Sequence, residues 1–419
     1  MAGEGVVAVD VVHERCAGID ISKADVKVCV RVPGSARRRR SEVRTFTSMT
    51  NDLLAMRDWL VSQSVTVVGM EATGDYWKPV FYLLEDGFEV QLLNARHMRN
   101  VPGRKTDVAD SEWIAKLIEH GLIRASFVPP EPIRQLRDLT RYRTVVVRER
   151  VREAQRLEKL LEDAGIKLSA VVSDILGKSA RAMLEALVAG ERRPQVLAEL
   201  ALGSMRGKKP LLAEALTGRF GAHHAFLVRA MLDRVDEADA MIARLNRQIE
   251  TQVAPFRRVI TLLDGIPGIS TRVAEVIVAE IGADMSRFPT AAHLASWAGM
   301  CPGNNESGGR RKAGTTRPGD AWLRAALSEA AMAASHTKGT YLAARFRCVA
   351  SRRGKKRAIV AVGHSILIAT WHMITSDTEY RDLGGDYFIE RTGKTRVTQR
   401  LVTQLSQLGW RVNLTPATA

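Results

Sequence analysis

Before Pro129, short apolar stretches alternate with amphipathic ones along the chain. An apolar stretch that begins at Ala17 leads to the alternating Val28, Val30 and Val32, which predicts a β-hairpin. A third strand is predicted at "VRTFT", and apolar residues at helical spacing in "MTNDLLAMRDWLVSQ" predict the first helix. Two more strands, "VTVVGMEA" and "FEVQLLN", each precede a predicted helix. The order β-β-β-α-β-α-β-α predicts an α/β domain, residues 14–128, with a mixed sheet covered by helices.

After "VPPEPIRQL" the pattern changes to long charged helices, predicted from Arg134 to Asp163 and from Ala225 to Val253. The second has apolar residues at alternating three- and four-residue steps, which predicts a coiled-coil seam in a helical hairpin or an oligomer contact. The seam residues are Val228, Met231, Val235, Ala238, Ile242, Leu245 and Ile249. We therefore predict a helical coiled-coil region at 129–255, in which 166–224 has no assigned chemistry. A helical domain at 256–376 and a polar tail of mixed strand and helix signals at 377–419 complete the predicted all-α part.

Charge narrows the class of partner. The 419 residues include 62 Lys and Arg against 46 Asp and Glu, a formal net charge of +16. This excess favours a polyanion such as nucleic acid, with an anionic membrane surface as the rival. The four cysteines form no CxxC pair, and the N-terminus has no secretory signal pattern, so we expect a protein of the reducing cytosol. The apolar run from Ala358 to Ile374 is shorter than the ~20 residues of a membrane span and predicts a buried helix.

Two aspartates stand three positions apart in "GRKTDVADSEWIAKL", behind the basic pair of Arg104 and Lys105, of which Lys105 is predicted to contact nucleic acid. Residues at this spacing share one face of a helix, so Asp107 and Asp110 can converge on one ligand. The alternative is a structural role, because a carboxylate at the start of a helix caps free N–H groups and suits the helix dipole. Which interpretation holds depends on the other carboxylates of the domain.

Asp20 and Glu71 are two further acidic residues of the predicted sheet. Asp20 lies in the apolar strand "AGIDISK", where an unpaired charge is costly, and Glu71 ends the strand "VVGMEA". If these strands are neighbours, both carboxylates meet Asp107 and Asp110 at one edge of the sheet, and such crowding requires cations. Oxygen ligands alone favour Mg²⁺ or Mn²⁺, and a cluster of this kind suits phosphodiester chemistry.

The region from Leu262 onward has two features that suit phosphate binding. The turn "GIPGI", with Gly265 and Gly268, precedes an apolar helix and resembles helix-hairpin-helix modules, although a plain helix connection is the alternative. A long Gly-rich loop then leads into a helix near Asp320. Basic residues of the loop and helix are predicted to contact nucleic acid: Arg310, Arg311, Lys312, Arg317 and Arg324.

Ser307 is the only serine between Pro302 and Arg324, and it precedes Gly308 and Gly309, which allow a phosphate to approach the backbone closely. From the residues alone it is either a polar loop residue or a nucleophile, and a serine nucleophile needs an activating base or metal. A basic run without acidic residues follows later, "ARFRCVASRRGKKRA", which is expected to face nucleic acid.

The motifs "GIDISK", "EATGDYW", "KTDVADSEWIAKL", "GIPGI", "FPTAAHLASWAGMCP" and "SGGRRKAGTTRPGDAWLR" resemble the DEDD transposases of the insertion-sequence-110 family. The resemblance implies a RuvC-like N-terminal domain in which Asp20, Glu71, Asp107 and Asp110 bind metal. It also implies a C-terminal transposase domain in which Ser307 is the nucleophile. One departure is Ser111, where the family usually has a small apolar residue.

The resemblance implies DNA strand exchange by a homo-oligomer, a dimer or tetramer, with an RNA from the element as guide in at least part of the family. Two other functions remain open from the sequence. One is a structure-selective junction nuclease that hydrolyses DNA with water, and the other is a non-enzymatic DNA-binding architectural protein.

Overall fold

A computed structural model describes residues 10–415 apart from 36–37, 73, 96–97, 99–109, 304–305 and 312–313, and for residues 306, 307, 311 and 394 it describes the backbone only. The chain divides into two compact units, Met1–Val128 and Pro129–Ala419. The finer predicted division of the second part into helical region, transposase domain and tail stays a prediction.

The first unit is built on a five-stranded mixed sheet in the order β3-β2-β1-β4-β5. Strand β1 pairs antiparallel with β2 and parallel with β4, which in turn pairs parallel with β5. The strands are β1 Cys16–Ile21, β2 Asp25–Pro33, β3 Arg39–Thr47, β4 Val67–Glu71 and β5 Glu89–Leu93. The helices are α1 Thr50–Ser62, α2 Trp77–Leu84 and α3, described from Asp110 to Glu119. The predicted α/β fold with a mixed sheet is therefore confirmed.

Alternate residues of the two central strands face opposite sides of the sheet. Ala17 and Ile19 of β1 belong to the core that contains residues of α1 and α2. Cys16 of β1 and Val67 of β4 belong to the smaller core beneath α3. Because side chains alternate along a strand, Asp20 and Glu71 lie on the same face as Cys16 and Val67, the face that α3 covers.

Two glycines allow α3 to approach this face closely. A Cβ at Gly18 would lie 2.2 Å from the Ala115 nitrogen and 2.3 Å from the Ser111 carbonyl oxygen. A Cβ at Gly69 would lie 2.5 Å from Ile118. The helix backbone therefore rests directly on β1, two residues before Asp20, and any larger residue at position 18 would push α3 away.

A buried ion-pair group holds the far end of α3. Glu119 is only 1% exposed and pairs with Arg31 at 2.8 Å and with Arg39. Burial alone would raise the pKa of Glu119, but the hydrogen bonds and charges of the two arginines outweigh it and hold that pKa below its ordinary value. The carboxylate is thus kept ionised between α3 and strands β2 and β3.

The second unit begins with a helical hairpin. Helix α4, Glu131–Asp163, packs along α8, Ala222–Gln252. Three shorter helices and a 3-10 helix at Gly203–Lys208 fill the connection: α5 Lys178–Val188, α6 Pro194–Glu199 and α7 Lys209–Ala215. Of the predicted seam, Val228, Val235, Leu245 and Ile249 are buried. These seam residues therefore pack within the hairpin, as one of the two predicted uses requires, while Met231, Ala238 and Ile242 are half-buried and an oligomer contact stays a prediction.

The remaining helices form the C-terminal part of the second unit. They are α9 Arg257–Asp264, α10 Thr271–Ile281, α11 Ala291–Trp297, α12 Ala321–His336, α13 Tyr341–Arg353, α14 Lys355–Ser376, α15 Tyr387–Thr392 and α16 Lys394–Gln407. Residues 377–415 contain α15 and α16 and no strand, so the strand signals predicted for the tail are wrong. Tyr341 of α13 stacks on Phe388 of α15, so an aromatic contact holds this part of the tail as a helix.

Helix α14 is longer than the apolar run predicted from sequence. Its 22 residues make it, among the described residues, the one helix long and apolar enough by length and composition to cross a membrane. Val362, Ile366 and Leu367 are fully buried, and the helix packs against α11, α12 and α13. These contacts are those of a core helix, as the sequence predicted.

Candidate active site

Three of the four predicted carboxylates belong to adjacent elements of the first unit. The parallel register pairs Ile19 with Met70. The next residues, Asp20 and Glu71, therefore lie side by side at the carboxyl ends of β1 and β4. Asp110 stands in the first turn of α3, which covers the same face of the sheet. Ligands bind at this edge in open α/β sheets, so the three acidic residues stand where the fold presents chemistry.

The electrostatics of Asp20 reflect this grouping. Burial raises the pKa of the Asp20 carboxyl above its ordinary value, and the charges of Asp110 and Glu71 raise it further, while Lys27 lowers it. The charges of Asp110 and Glu71 therefore act on Asp20, which makes the three carboxylates electrostatic neighbours. The arrangement can thus bind a positive charge at the carboxyl edge of the sheet.

The fourth predicted carboxylate, Asp107, and the neighbouring Lys105 lie outside the described residues. Among the residues that are described, no three His, Cys, Asp or Glu side chains are grouped as ligands of a metal ion. A metal site at this edge therefore stays a prediction that includes Asp107.

Ser307 lies at the tip of a small hairpin in the second unit. Strand β6, Glu306–Ser307, pairs antiparallel with β7, Arg310–Arg311, so that Ser307 faces Arg310 across the ladder. The two turn residues, Gly308 and Gly309, have φ of 58° and 73°. Positive φ at both central positions is the geometry of a type I′ turn, which strongly favours glycine. No atom of the described residues lies within 4 Å of a Cβ placed on either glycine, so the backbone of both turn residues is accessible.

The chain on either side of this tip closes into a neck. Pro302 forms an antiparallel bridge with Thr316, and the Gly303 N–H donates to the Thr315 carbonyl at 3.0 Å. At the base, a Cβ on Gly319 would lie 2.3 Å from the Ala298 carbonyl oxygen. We call residues 298–319 the serine finger; its described residues form one loop with a closed neck, and Ser307 adjoins its glycine turn.

An ion-pair chain fastens the base of the serine finger to the helical hairpin. Asp320 caps α12 by accepting from the Leu323 N–H at 2.7 Å, and its other oxygen accepts from Arg141 of α4 at 3.2 Å. Arg141 also donates to both oxygens of Glu280, which is fully buried at the end of α10. Arg137 pairs with Glu280 as well, at 3.1 Å. The finger is thus tied to α4 and α10 through two carboxylates.

The residues of this unit that are predicted to contact nucleic acid differ in their exposure to solvent. Arg310 and Arg317 are exposed on the serine finger, Arg324 on α12 is half-buried, and Arg311 is described by its backbone only. Lys312 lies outside the described residues. The phosphate contacts of all of these residues stay predictions.

The "GIPGI" turn joins α9 to α10 as a helix-turn-helix. Gly265 is exposed there. Gly268 has φ of 90°, and a Cβ on it would lie 2.4 Å from the Ala330 carbonyl oxygen of α12. Gly268 therefore serves helix packing, whereas a role for its backbone in binding phosphate remains a prediction.

Several positioning residues had no signal in the sequence. Gly18 and Gly69 show their role only once α3 is seen to touch them. Arg141 was one charge among many on α4, and its partners lie 139 and 179 residues away. Its place on the buried face of a long helix is the only sequence feature that indicates a buried partner for Arg141.

The geometry agrees with comparisons to known proteins. Residues 17–166 match an IS110-type DEDD transposase family, and residues 260–347 match the transposase family IS116/IS110/IS902. A "Probable family 20 transposase" of Pseudomonas aeruginosa is 27% identical over 78% of this chain and 89% of its own length. The transposase for insertion sequence element IS1111A of Coxiella burnetii is 25% identical over 77% of this chain and 81% of its own.

These matches, together with an acidic sheet edge and a basic helical unit, define the protein as a DNA transposase. The chain belongs to the IS116/IS110/IS902 family of insertion-sequence transposases.

The raised pKa of Asp20 leads to a pH-dependent prediction. Because its pKa is higher in the folded than in the unfolded state, Asp20 favours folding below the unfolded value, about 3.9, and this contribution is lost as pH rises through the folded value. In chelator, Asp20→Asn should therefore melt above the parent protein near pH 7, by a margin that shrinks toward pH ~4. Asp58→Asn, an exposed carboxylate on α1, is the control and should show no such trend. A lower melting temperature for Asp20→Asn at pH 7 would contradict this electrostatic account.

The anchor of the serine finger predicts a ranking of three variants in urea unfolding. Arg141→Met should cost about 1.5–3 kcal/mol, because the buried Glu280 loses its bidentate partner while Arg137 still pairs with it. Asp320→Asn should cost much less, since Asn caps a helix about as well as Asp and only one contact to Arg141 is lost. Asp320→Ala should lose about 1 kcal/mol more than Asp320→Asn, the cost of the missing cap. Equal stabilities for Arg141→Met and Asp320→Asn would show that the Glu280 pair is not the main fastening.

Proposed function

We propose that this transposase cleaves and exchanges DNA strands with the acidic cluster Asp20, Glu71, Asp107 and Asp110 and with Ser307 as nucleophile. The observation that carries the proposal is the placement of Asp20, Glu71 and Asp110 at one carboxyl edge of the sheet. The exposed tip of the serine finger, on the other unit, supports the second half of the proposal.

The residues fit a divalent cation. All the proposed donors are carboxylate oxygens, the ligands of Mg²⁺ and Mn²⁺. Burial first, and then the charges of Asp110 and Glu71, raise the pKa of Asp20, and a bound cation would offset both effects. When bound, Mg²⁺ supplies charge stabilisation of the phosphate and lowers the pKa of an oxygen nucleophile. The four carboxylates of the acidic cluster would hold the ion, and Lys27, opposite Asp20 in the strand pairing, adds positive charge nearby.

The proposed chemistry is a transesterification. The Ser307 hydroxyl oxygen forms a bond to phosphorus, the bond from phosphorus to the leaving deoxyribose oxygen breaks, and the serine proton is balanced by the proton that the leaving oxygen takes up. The phosphodiester energy is conserved in the serine linkage, so that a second DNA hydroxyl can later displace Ser307. Arg310, opposite Ser307 in the hairpin, is exposed and suited to the phosphate charge.

Assembly and guidance rest on the family resemblance. We propose that the protein acts as a dimer or tetramer and pairs with an RNA from its own element, in the bacterial cytosol near the nucleoid. The buried seam residues pack within the hairpin of one chain, and the half-buried Met231, Ala238 and Ile242 remain available for a contact between chains.

The nucleophile is tested by trapping cleavage reactions with denaturant and digesting the protein for mass spectrometry. We expect a nucleotide on Ser307, absent in Ser307→Ala and present in the control Ser335→Ala.

Alanine variants of the four acidic residues should lose cleavage by orders of magnitude while staying folded, and Mg²⁺ should raise the melting temperature of the parent more than theirs. Cleavage of branched DNA without any adduct would favour the junction nuclease, and no cleavage at all would favour the architectural protein.

Guidance and assembly are tested on the purified protein. Sequencing of copurified RNA should yield one defined transcript from DNA flanking the gene, and random fragments only would count against a guide. Light scattering should show a dimer or larger species. A strict monomer, both free and with nucleic acid, would remove the oligomer from the proposal.

A further inference from the structure

A dense group of positive charges lies where α13 ends and α14 begins. From Tyr341 to Ser376 the chain has seven Arg and Lys and no Asp or Glu, so 36 residues supply seven of the sixteen excess positive charges. Six of these cations are exposed or flank the exposed junction at Gly354. We call them the basic corner: Arg347, Arg352, Arg353, Lys355, Lys356 and Arg357.

The cations of the basic corner differ from the ion-paired cations of the same unit. Within the described part of the chain, none of the six forms an ion pair or a side-chain hydrogen bond. Elsewhere in the unit exposed cations have acidic partners, such as Arg193 with Glu191 and Arg257 with Glu250. The corner therefore keeps its full charge directed to solvent.

Helix stability does not explain these charges. Lys355, Lys356 and Arg357 occupy the first turn of α14, where the helix dipole is positive and basic residues are unfavourable. Acidic residues start other helices of this protein, as Asp110 and Glu112 do in α3. A sequence that concentrates like charges at an unfavourable helix end gains from an external anion.

The corner also lies near the serine finger in the same unit. Further along α14, a Cβ on Gly363 would lie 2.7 Å from the side chain of Met300, at the base of the finger. At a rise of about 1.5 Å per residue, Lys355 is only ~12 Å along the helix axis from this contact. The tail contacts α13 through Tyr341, at the opposite end of that helix, and so leaves the corner open.

We infer that the basic corner binds the phosphate backbone of duplex DNA and holds the substrate beside the serine finger. The inference rests on the protein's being a DNA transposase but on neither the metal nor the serine nucleophile. Phosphate contacts of this kind fix the position of a duplex without reading its sequence. DNA is preferred to RNA as the occupant because the family acts on DNA.

The test compares two variants that lose the same charge. The corner variant carries Arg352→Gln, Arg353→Gln, Lys355→Gln and Lys356→Gln. The control variant carries Lys167→Gln, Arg193→Gln, Arg257→Gln and Arg258→Gln, four cations of the same unit whose side chains are 58%, 74%, 61% and 59% exposed and which pair with acids. Both variants lose four positive charges, so the reduction in the overall electrostatic attraction of the protein for DNA is the same in both.

Binding is measured by fluorescence anisotropy with a labelled duplex of arbitrary sequence, in EDTA and in a Ser307→Ala background. These conditions exclude cleavage, so the result is independent of the proposed chemistry. Each phosphate contact contributes a slope of about 0.9 to the fall of log K with log salt. The corner variant should therefore lose up to about 3.6 of that slope, while the control should keep nearly all of it.

In practical terms, between roughly 50 and 200 mM salt the parent should lose on the order of 100-fold more affinity than the corner variant. Equal slopes for the corner and control variants would overturn the inference. So would a corner variant that binds duplex DNA like the parent but loses binding to single-stranded RNA or to anionic phospholipid vesicles. Circular dichroism melts of both variants should match the parent, since all the substituted side chains are exposed.

Discussion

The first unit depends on the contact of one helix backbone with one strand backbone. At Gly18 helix α3 approaches β1 so closely that even a methyl group would collide with the Ser111 carbonyl and the Ala115 nitrogen. That approach brings the first turn of α3 to the carboxyl ends of β1 and β4, and Glu119 with its two arginines holds the other end of the helix. The electrostatic strain on Asp20 is thus a consequence of close packing: the sheet provides two carboxylates and the helix brings a third.

The second unit solves a different positioning problem. A side chain on a long loop has a defined position only if the loop has one conformation. Here backbone features define that conformation. Two positive-φ glycines set the tip, a bridge between Pro302 and Thr316 closes the neck, and Asp320 fastens the base. Because Asp320 uses one oxygen for a helix cap and the other for Arg141, local helix formation and long-range anchoring are achieved by a single side chain.

The sequence was sufficient where a feature depends on local periodicity. The order of strands and helices along the first unit followed from alternating valines and helix-spaced leucines. Asp20 and Glu71 were identified because a carboxylate in an apolar strand is costly unless it has a partner. What could not be predicted depends on contacts between distant residues. Nothing near Gly18 shows that a helix more than 90 positions later will press on it, and the seam of α8 looked the same for an intramolecular or an intermolecular partner. Ser111 shows the same limit: its hydroxyl is fully buried and has no hydrogen-bond partner among the described residues, a cost that becomes visible only in the packed structure.

The four cysteines differ in a way that follows from where they lie. Cys16 is buried beneath α3, and burial raises its pKa to about 12, so almost none of it is the reactive thiolate at neutral pH. Cys29 is also fully buried, whereas Cys301 is partly exposed and stands next to the bridge that closes the neck of the serine finger. Burial raises the pKa of the Cys301 thiol too, so every opening of the neck increases its tendency to ionise. The transposase therefore carries a native chemical reporter at the base of the serine finger, and its alkylation rate should follow how often the neck opens.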